Sequence, residues 1–317
     1  MTVRRFLLCL ALGAPLGFAA HPADRVSAAA ASVTLQSGVY ATRTTIPVTI
    51  NGYRVSCVLD TGTSAMLVSP AVAQAAGLPS RSGTFELAPD GHTYVDRRTQ
   101  IARFAAGGYT LSDLPALISS NLGGSAALCG YDFFAHFPTF IDRDRRTVTL
   151  FPSPERLQRT HCLPVDLGPR VPLATIEING TWLDHIVLDS GMAGGGALWD
   201  GVRTQLQRPL VTSADYETLP GAIARGFSCG AIASVRFGSA VPDASMPICT
   251  EPQRPDGYNG IIETNLSSIH AMAVDYPQHR ICFNVGAPAI VAARYALPQA
   301  PSDAWSRFNE LRPPQRP

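Results

Sequence analysis

Short runs of alternating apolar and polar residues, separated by turn residues, recur along most of the chain. Residues 40–50 alternate threonine with isoleucine and valine, reach a turn at Asn51-Gly52, and are followed by a second run at 53–59. Alternation with a period of two is typical of a half-buried strand, and Asn-Gly is a favoured two-residue hairpin turn. The pattern therefore predicts a β-hairpin whose second strand leads directly into Asp60.

A second hairpin is predicted further along the first half. Residues 85–87 and 92–95 flank a turn sequence that contains Asp90 and Gly91, and Tyr94 lies close to its tip. Ser69 and Pro70 precede an alanine-rich stretch that ends at Gly77, as expected for a capped short helix. The other elements predicted for this half are strands near 101–104, 109–119, 140–142 and 147–150 and a short helix at 132–136.

The second half of the chain repeats landmarks of the first half in the same order. The matched positions, first half before second, are Ile46-Pro47 and Val171-Pro172, Asn51-Gly52 and Asn179-Gly180, Asp60 and Asp189, Arg103-Phe104 and Arg236-Phe237, Leu114-Pro115 and Met246-Pro247, Gly130 and Gly260, and Ile141-Asp142 and Val274-Asp275. Two copies are too few for a solenoid, so the pattern indicates a duplicated domain. A duplicated domain predicts a pseudo-two-fold axis and a monomer with two lobes.

Composition supports an all-β protein and limits the classes of molecule that it is expected to bind. The 317 residues include 27 glycines and 26 prolines, which favour frequent turns over a helical bundle. A net charge of +1 with only 15% charged residues offers no electrostatic surface for nucleic acid or an anionic membrane. Recognition by shape and hydrogen bonding is expected instead.

The ends of the chain differ from its middle. Arg4 and Arg5 precede an apolar run at 6–16 and small residues at 17–20, the layout of a secretory signal, so we expect export to the periplasm or the medium. The predicted organisation is a signal peptide at 1–20, a spacer at 21–39, an N-terminal lobe at 40–152, a connector at 153–170, a C-terminal lobe at 171–287 and a Pro-rich tail at 288–317.

Six cysteines lie beyond the predicted signal, an even number that favours disulfides in an exported chain. Their connectivity cannot be read from the sequence. Three bridges that stay within a lobe would be Cys57 to Cys129, Cys162 to Cys282, and Cys229 to Cys249. No CxxC motif and no Cys/His cluster has the spacing of a metal site, so neither a zinc ion nor another metal is expected.

Two acidic turns provide the candidate chemistry. Apolar residues lead into Asp60 and again into Asp189, and each aspartate is followed by a hydroxyl residue and a glycine. A single buried carboxylate is costly, whereas two across an axis, about 3 Å apart, repel by roughly 5 kcal/mol at an effective dielectric constant of about 20 and share one proton. The charged member can accept a proton from water while the neutral member donates one to a carbonyl oxygen.

Neighbouring residues have matching roles in this hypothesis. Gly62 and Gly191 allow a tight turn and offer N–H groups to the carboxylates. Thr61 and Ser190 are positioned to hydrogen-bond across the axis. Thr63 can donate to the outer oxygen of Asp60, whereas its counterpart is Met192. We therefore expect Asp60 to have the lower pKa and Asp189 to carry the shared proton more often.

The two motifs, Asp60-Thr61-Gly62 and Asp189-Ser190-Gly191, resemble those of the retropepsin and pepsin superfamily of aspartic proteases. The superfamily's hydrophobic-hydrophobic-Gly element is matched by Leu128-Cys129-Gly130 and, with an asparagine in the second position, by Tyr258-Asn259-Gly260. Residues 130–150 are similar to bacterial retropepsin-like domains in particular. The resemblance covers residues 40–150 and 171–285.

The resemblance implies two retropepsin-like β-barrel lobes with an active-site cleft between them, an aspartic endopeptidase activity on polypeptide substrates, and no metal or cofactor. It also implies a flap at 89–95, with Asp90 and Gly91 in its turn and Tyr94 over the two aspartates. Met192-Ala193 and the glycines at 194–196 depart from the superfamily pattern. A catalytically inactive peptide-binding protein that keeps this fold is therefore the alternative.

Overall fold

The structure is a computed structural model, and it describes residues 32–40, 43–87, 93–120, 122, 126–153, 160–192, 195–210, 228–242, 246–251 and 257–285. The predicted signal peptide, the spacer as far as residue 31, the Pro-rich tail and the flap residues Asp90 and Gly91 lie outside these ranges. Within the described ranges the protein is mostly β, as the composition predicts. No helix in this part of the chain is long and apolar enough to cross a membrane.

The first lobe is an eight-stranded sheet in the order β2-β3-β4-β9-β5-β8-β7-β6, and an additional pairing between β3 and β7 closes it into a barrel. Its elements are β2 (Gly38–Tyr40), β3 (Arg43–Ile50), β4 (Tyr53–Leu59), β5 (Leu67–Val68), α1 (Pro70–Ala75), β6 (Gly83–Leu87), β7 (Thr93–Ala106), β8 (Tyr109–Ser119), β9 (Ala127–Cys129) and α2 (Tyr131–Phe134).

Local chemistry explains the predicted elements of this lobe. Ile46, Val48 and Ile50 of β3 are buried in the core, as the alternating pattern requires. Asn51 and Gly52 have φ angles of 49° and 88°, the left-handed pair of a two-residue hairpin turn. Helix α1 is capped as expected, because the Ser69 hydroxyl accepts a hydrogen bond from the amide of Val72.

The second lobe is a seven-stranded sheet in the order β16-β18-β15-β19-β14-β13-β17. Its elements are β13 (Leu173–Ile178), β14 (Thr181–Asp189), β15 (Gly196–Trp199), α3 (Asp200–Arg203), β16 (Ser228–Ala231), β17 (Val235–Arg236), β18 (Pro247–Glu251) and β19 (Gly260–Glu263).

The two lobes share one strand plan. The order β3-β4-β9-β5-β8 of the first lobe corresponds to β13-β14-β19-β15-β18 of the second. In both lobes the strand before the aspartate pairs in parallel with the strand of the glycine element, as β4 with β9 and β14 with β19. The lobes are therefore pseudo-symmetric, and each acidic turn emerges at the equivalent place.

A six-stranded sheet joins the lobes in the order β1-β11-β10-β20-β21-β12. Its strands are β1 (Val33–Gln36), β10 (Thr139–Asp142), β11 (Thr147–Leu150), β12 (Cys162–Pro164), β20 (Ile269–Asp275) and β21 (Arg280–Val285). The junction is the antiparallel pairing of β10 with β20. Strand β1 lies in the range that the sequence assigned to the spacer, and β12 lies in the connector, so both segments are structured by pairing with β11 and β21.

The disulfides follow the predicted within-lobe scheme. Cys57 bonds to Cys129 and Cys162 bonds to Cys282, which confirms two of the three predicted bridges. Cys249 is also disulfide-bonded, and the strand register places Cys229 directly opposite it. The bridge from Cys57 to Cys129 joins the ends of β4 and β9 immediately before the first acidic turn.

Candidate active site

The two acidic turns meet between the lobes. Asp60 follows β4, Asp189 is the last residue of β14, and their exposed fractions are only 7% and 8%. Each turn's glycine lies against the carboxyl group of the other turn. A Cβ atom on Gly62 would lie 2.5 Å from Cγ of Asp189, and one on Gly191 would lie 2.1 Å from Cγ of Asp60. The close approach that brings the carboxylates together therefore requires glycine at both positions.

Four reciprocal hydrogen bonds hold the turns together. The Thr61 hydroxyl donates to the Leu188 carbonyl oxygen at 2.7 Å, and the Ser190 hydroxyl donates to the Leu59 carbonyl oxygen at 2.8 Å. The amide of Thr61 donates to the Ser190 hydroxyl oxygen at 3.1 Å, and the amide of Ser190 donates to the Thr61 hydroxyl oxygen at 2.9 Å. This is the cross-axis contact that the sequence predicts for Thr61 and Ser190.

Replacing Thr61 by valine is expected to weaken this junction with little change in volume. The variant loses one donated and one accepted hydrogen bond and leaves the buried carbonyl of Leu188 and amide of Ser190 without these partners, at a cost of about 1–3 kcal/mol each. Chemical unfolding measures the loss. Thr34→Val is the matched control, because its hydroxyl contacts only Thr149 at an exposed site. Equal stability of the two variants would contradict the expectation.

The two carboxylates have different hydrogen-bond partners. Asp189 Oδ1 accepts hydrogen bonds from the amides of Gly191 at 2.6 Å and Met192 at 2.9 Å. The carboxyl group of Asp60 lies beside the amide of Gly62 and the hydroxyl of Thr63, and its Oδ1 is buried without a hydrogen-bond partner among the described residues. The two carboxyl groups are close enough to affect each other's pKa, and adjacent buried carboxylates favour sharing a single proton.

Their environments raise the pKa of Asp189 more than that of Asp60. Burial raises the pKa of both aspartates. The pKa of Asp189 is raised well above its usual value, first by burial and next by the charge of Asp60. For Asp60, the Thr63 hydroxyl, the neighbouring carboxyl group of Asp189 and the charge of Arg43 oppose the effect of burial on the pKa. The direction of this asymmetry agrees with the sequence expectation.

Tyr276 is a site residue that the sequence did not reveal. Its buried hydroxyl donates to the carbonyl oxygen of Thr61 at 3.4 Å, and its ring contacts those of Tyr131 and Phe134. Burial and the nearby charges of Asp60 and Asp189 raise its pKa well above the usual value, so it remains a hydrogen-bond donor. The sequence signal that could have revealed Tyr276 was its position directly after Asp275, which matches Asp142 in the repeat.

A buried acid supports the loop after each aspartate. Asp132 Oδ2 accepts a hydrogen bond from the amide of Met66 at 3.1 Å, and Glu263 Oε2 accepts one from the amide of Gly195 at 2.8 Å. Met66 and Gly195 occupy the same position relative to Asp60 and Asp189. The second loop therefore has an equivalent support although Asn259 interrupts the glycine element before it.

Strands β6 and β7 form the hairpin that the sequence predicts for the flap. Strands β6 and β7 pair with Leu87 opposite Thr93 and Glu86 opposite Tyr94. The turn with Asp90 and Gly91 lies outside the described residues. Among the described residues, no group of three or more His, Cys, Asp or Glu side chains is arranged to hold a metal ion.

Comparisons with known proteins give a family match in the first lobe. Residues 46–136 match the family model described as gag-polyprotein putative aspartyl protease. The chain is similar to a solved structure, a retropepsin-like aspartic protease from Rickettsia conorii, with 15% identity and a TM-score of 0.28 over 38% of this chain and 88% of that one. No curated protein sequence matches the chain. The family match is confined to the first lobe.

Proposed function

We propose that the protein is an aspartic endopeptidase in which Asp60 and Asp189 activate a water molecule for peptide-bond hydrolysis. The observation that carries the proposal is the pair of buried carboxyl groups held close together by the two acidic turns, with the pKa of Asp189 raised well above its usual value by burial and by the charge of Asp60. Such a pair supplies one base and one acid at the same place.

The proposed reaction needs no covalent intermediate. Ionised Asp60 accepts a proton from water as the water oxygen attacks the carbonyl carbon, and protonated Asp189 donates its proton to the carbonyl oxygen. The resulting diol collapses when its C–N bond breaks, one hydroxyl proton returns to Asp189, and Asp60 passes its proton to the leaving amine. A carboxylic acid and an amine are released, and the pair regains its single shared proton.

The remaining site residues have supporting roles in this proposal. Thr61, Gly62, Thr63, Ser190 and Gly191 fix the distance and hydrogen bonding of the two aspartates. The flap residues Asp90, Gly91 and Tyr94 cover an extended polypeptide held in the cleft between the lobes. We further propose that the chain is exported to the periplasm or the medium, acts as a two-lobed monomer and arose by duplication. We also propose that the domain boundaries are those predicted from the sequence.

Cleavage of a peptide library between pH 3 and 7 tests the function. The wild-type protein is expected to cleave internal peptide bonds most rapidly at acid pH, where Asp189 holds its proton. Pepstatin should inhibit this activity, whereas chelators and serine-protease inhibitors should not. Asp60→Ala removes the base and should abolish cleavage.

Two results would count against the proposal. Cleavage that survives in Asp60→Ala would contradict the assignment of the acidic pair. If the wild-type protein cleaves no peptide throughout this pH range, the inactive peptide-binding alternative is favoured. Binding of the same peptide library to the wild-type protein would then test that alternative.

A further inference from the structure

In each lobe, one residue directly after a strand of the joining sheet extends toward the acidic turn of the other lobe. Arg143 follows Asp142 at the end of β10 in the first lobe, and Tyr276 follows Asp275 at the end of β20 in the second. The repeat makes these positions equivalent. Both residues contact loops around the aspartate of the other lobe.

Arg143 reaches the second acidic turn through Asn265. Its Nη2 donates to Oδ1 of Asn265 at 2.6 Å and to the carbonyl oxygen of Thr264 at 3.1 Å. The Asn265 amide nitrogen donates to the carbonyl oxygens of Ser190 at 2.8 Å and Met192 at 3.1 Å. Nη1 adds contacts to the carbonyl oxygens of Leu266 and Ile269. A planar, charged fork therefore orients the amide that holds the turn containing Asp189.

Tyr276 makes the reverse contact. It belongs to the second lobe, and its hydroxyl donates to the carbonyl oxygen of Thr61 in the first acidic turn at 3.4 Å. Packing against Tyr131 and Phe134 of α2 fixes the direction of its ring, because all three rings lie within 6 Å of a neighbour. The first turn is thereby held from the second lobe, as the second is held from the first.

We propose that Arg143 and Tyr276 are crossed positioning residues, each of which fixes the aspartate turn of the opposite lobe. The second turn depends more on Arg143 than the first turn depends on Tyr276, because the second turn has Met192 where the first has the hydroxyl of Thr63. Asn265 supplies side-chain hydrogen bonds to that turn and depends on Arg143 for its orientation. The effect on catalysis rests on the proposed function, whereas the positioning itself is measurable without it.

Hydrogen exchange of backbone amides, resolved by residue, tests the crossing. The variants are Arg143→Ala, the milder Arg143→Lys, and Tyr276→Phe, which removes only the hydroxyl. The reporters are the amide of Gly191, which donates to Asp189, and the amide of Gly62, which lies beside the carboxyl group of Asp60. Arg145→Ala is the matched control, because Arg145 lies on the same turn as Arg143 but is exposed and contacts Asp142.

The expected result is an effect in the opposite lobe. Arg143→Ala should speed exchange at Gly191 about tenfold and leave Gly62 unchanged, and Arg143→Lys should do so to a smaller extent. Tyr276→Phe should speed exchange at Gly62 and leave Gly191 unchanged. In the active protein, Arg143→Ala should lower kcat about ten- to a hundredfold with a much smaller change in KM, because misplacement of a reacting group affects the transition state most.

Several results would overturn the proposal. Unchanged exchange at Gly191 in both Arg143 variants, or equal acceleration at Gly62 and Gly191, would show that Arg143 does not position the second turn. An effect of Arg145→Ala as large as that of Arg143→Ala would do the same. If each variant speeds exchange only in the opposite lobe and kcat of Arg143→Ala is unchanged, a role of Arg143 in the reaction is refuted. A wild-type protein that cleaves no peptide would refute the proposed function alone, because exchange still decides the positioning.

Discussion

Replacing Asp189 by asparagine is expected to abolish peptide hydrolysis and at the same time to stabilise the folded protein at neutral pH. Asparagine keeps the shape of the side chain and can still donate a hydrogen bond to Asp60. It cannot release a proton to a substrate carbonyl oxygen. Loss of a general acid typically lowers the rate about 10²- to 10⁴-fold, so the variant should fall to the background rate of a peptide assay.

The stability change follows from the direction of the pKa shift. Folding raises the pKa of Asp189 above its usual value of 3.8, so the folded state binds this proton more tightly than the unfolded chain does. The stabilisation from this group is complete below pH 3.8 and is lost as pH rises through the raised pKa. Asparagine carries no charge and has no such loss. The melting temperature of Asp189→Asn should therefore exceed that of the wild type at pH 7, and the difference should shrink toward pH 4.

A matched control separates this effect from a general change of charge. Asp113 is exposed on β8 and has a φ of 58°, a conformation that asparagine tolerates well. Asp113→Asn should leave both activity and melting temperature unchanged. A neutral-pH melting temperature of Asp189→Asn below that of the wild type, or more than a tenth of wild-type activity in this variant, would contradict the assignment of Asp189 as the protonated member.

Adding one methyl group at Gly191 is expected to inactivate the protein. The Cβ atom of Gly191→Ala would lie 2.1 Å from Cγ of Asp60 and 2.3 Å from its Oδ2, distances at which either the carboxyl group or the turn must move. A displacement of about 1 Å at a reacting group can lower the rate about a hundredfold. Overpacking at the same place should also reduce the free energy of unfolding by about 1–3 kcal/mol.

The structure provides a direct comparison within the same chain. Gly201 lies in α3, and a Cβ atom there would have no neighbour within 4 Å. Gly201→Ala should retain full activity and gain slightly in stability, because alanine favours a helix. Gly62→Ala should behave like Gly191→Ala, since its Cβ would press on Asp189. Wild-type kcat in Gly191→Ala, measured beside Gly201→Ala, would show that the two carboxyl groups do not need this close approach.

Much of the local structure was predictable because its signals lie within a few residues. The left-handed turn at Asn51-Gly52, the cap of α1 by Ser69 and the acidic turns each have a short sequence pattern with one favoured geometry. The cross-axis contact of Thr61 with Ser190 was also predictable, because symmetry brings equivalent residues together once a repeat is recognised.

The contacts between lobes were not predictable in the same way. Strand β1 has only four residues, and nothing in its alternation identifies β11, more than a hundred residues later, as its partner. Arg143 and Asn265 are 122 residues apart, and neither belongs to a recognised motif. Tyr276 follows a matched position, yet an aromatic residue at a strand end is far more often part of a core than a support for a site.

The difference between Thr63 and Met192 shows what a single chain with two lobes permits. In an assembly of two identical chains, every substitution on one side of the axis appears on the other, so the two aspartates remain equivalent and either can hold the proton. Here the two turns are encoded separately, and the hydroxyl of Thr63 beside Asp60 is replaced by the side chain of Met192 in the second turn. Each half can therefore give its own aspartate a different environment, and the pKa of Asp189 is raised more than that of Asp60.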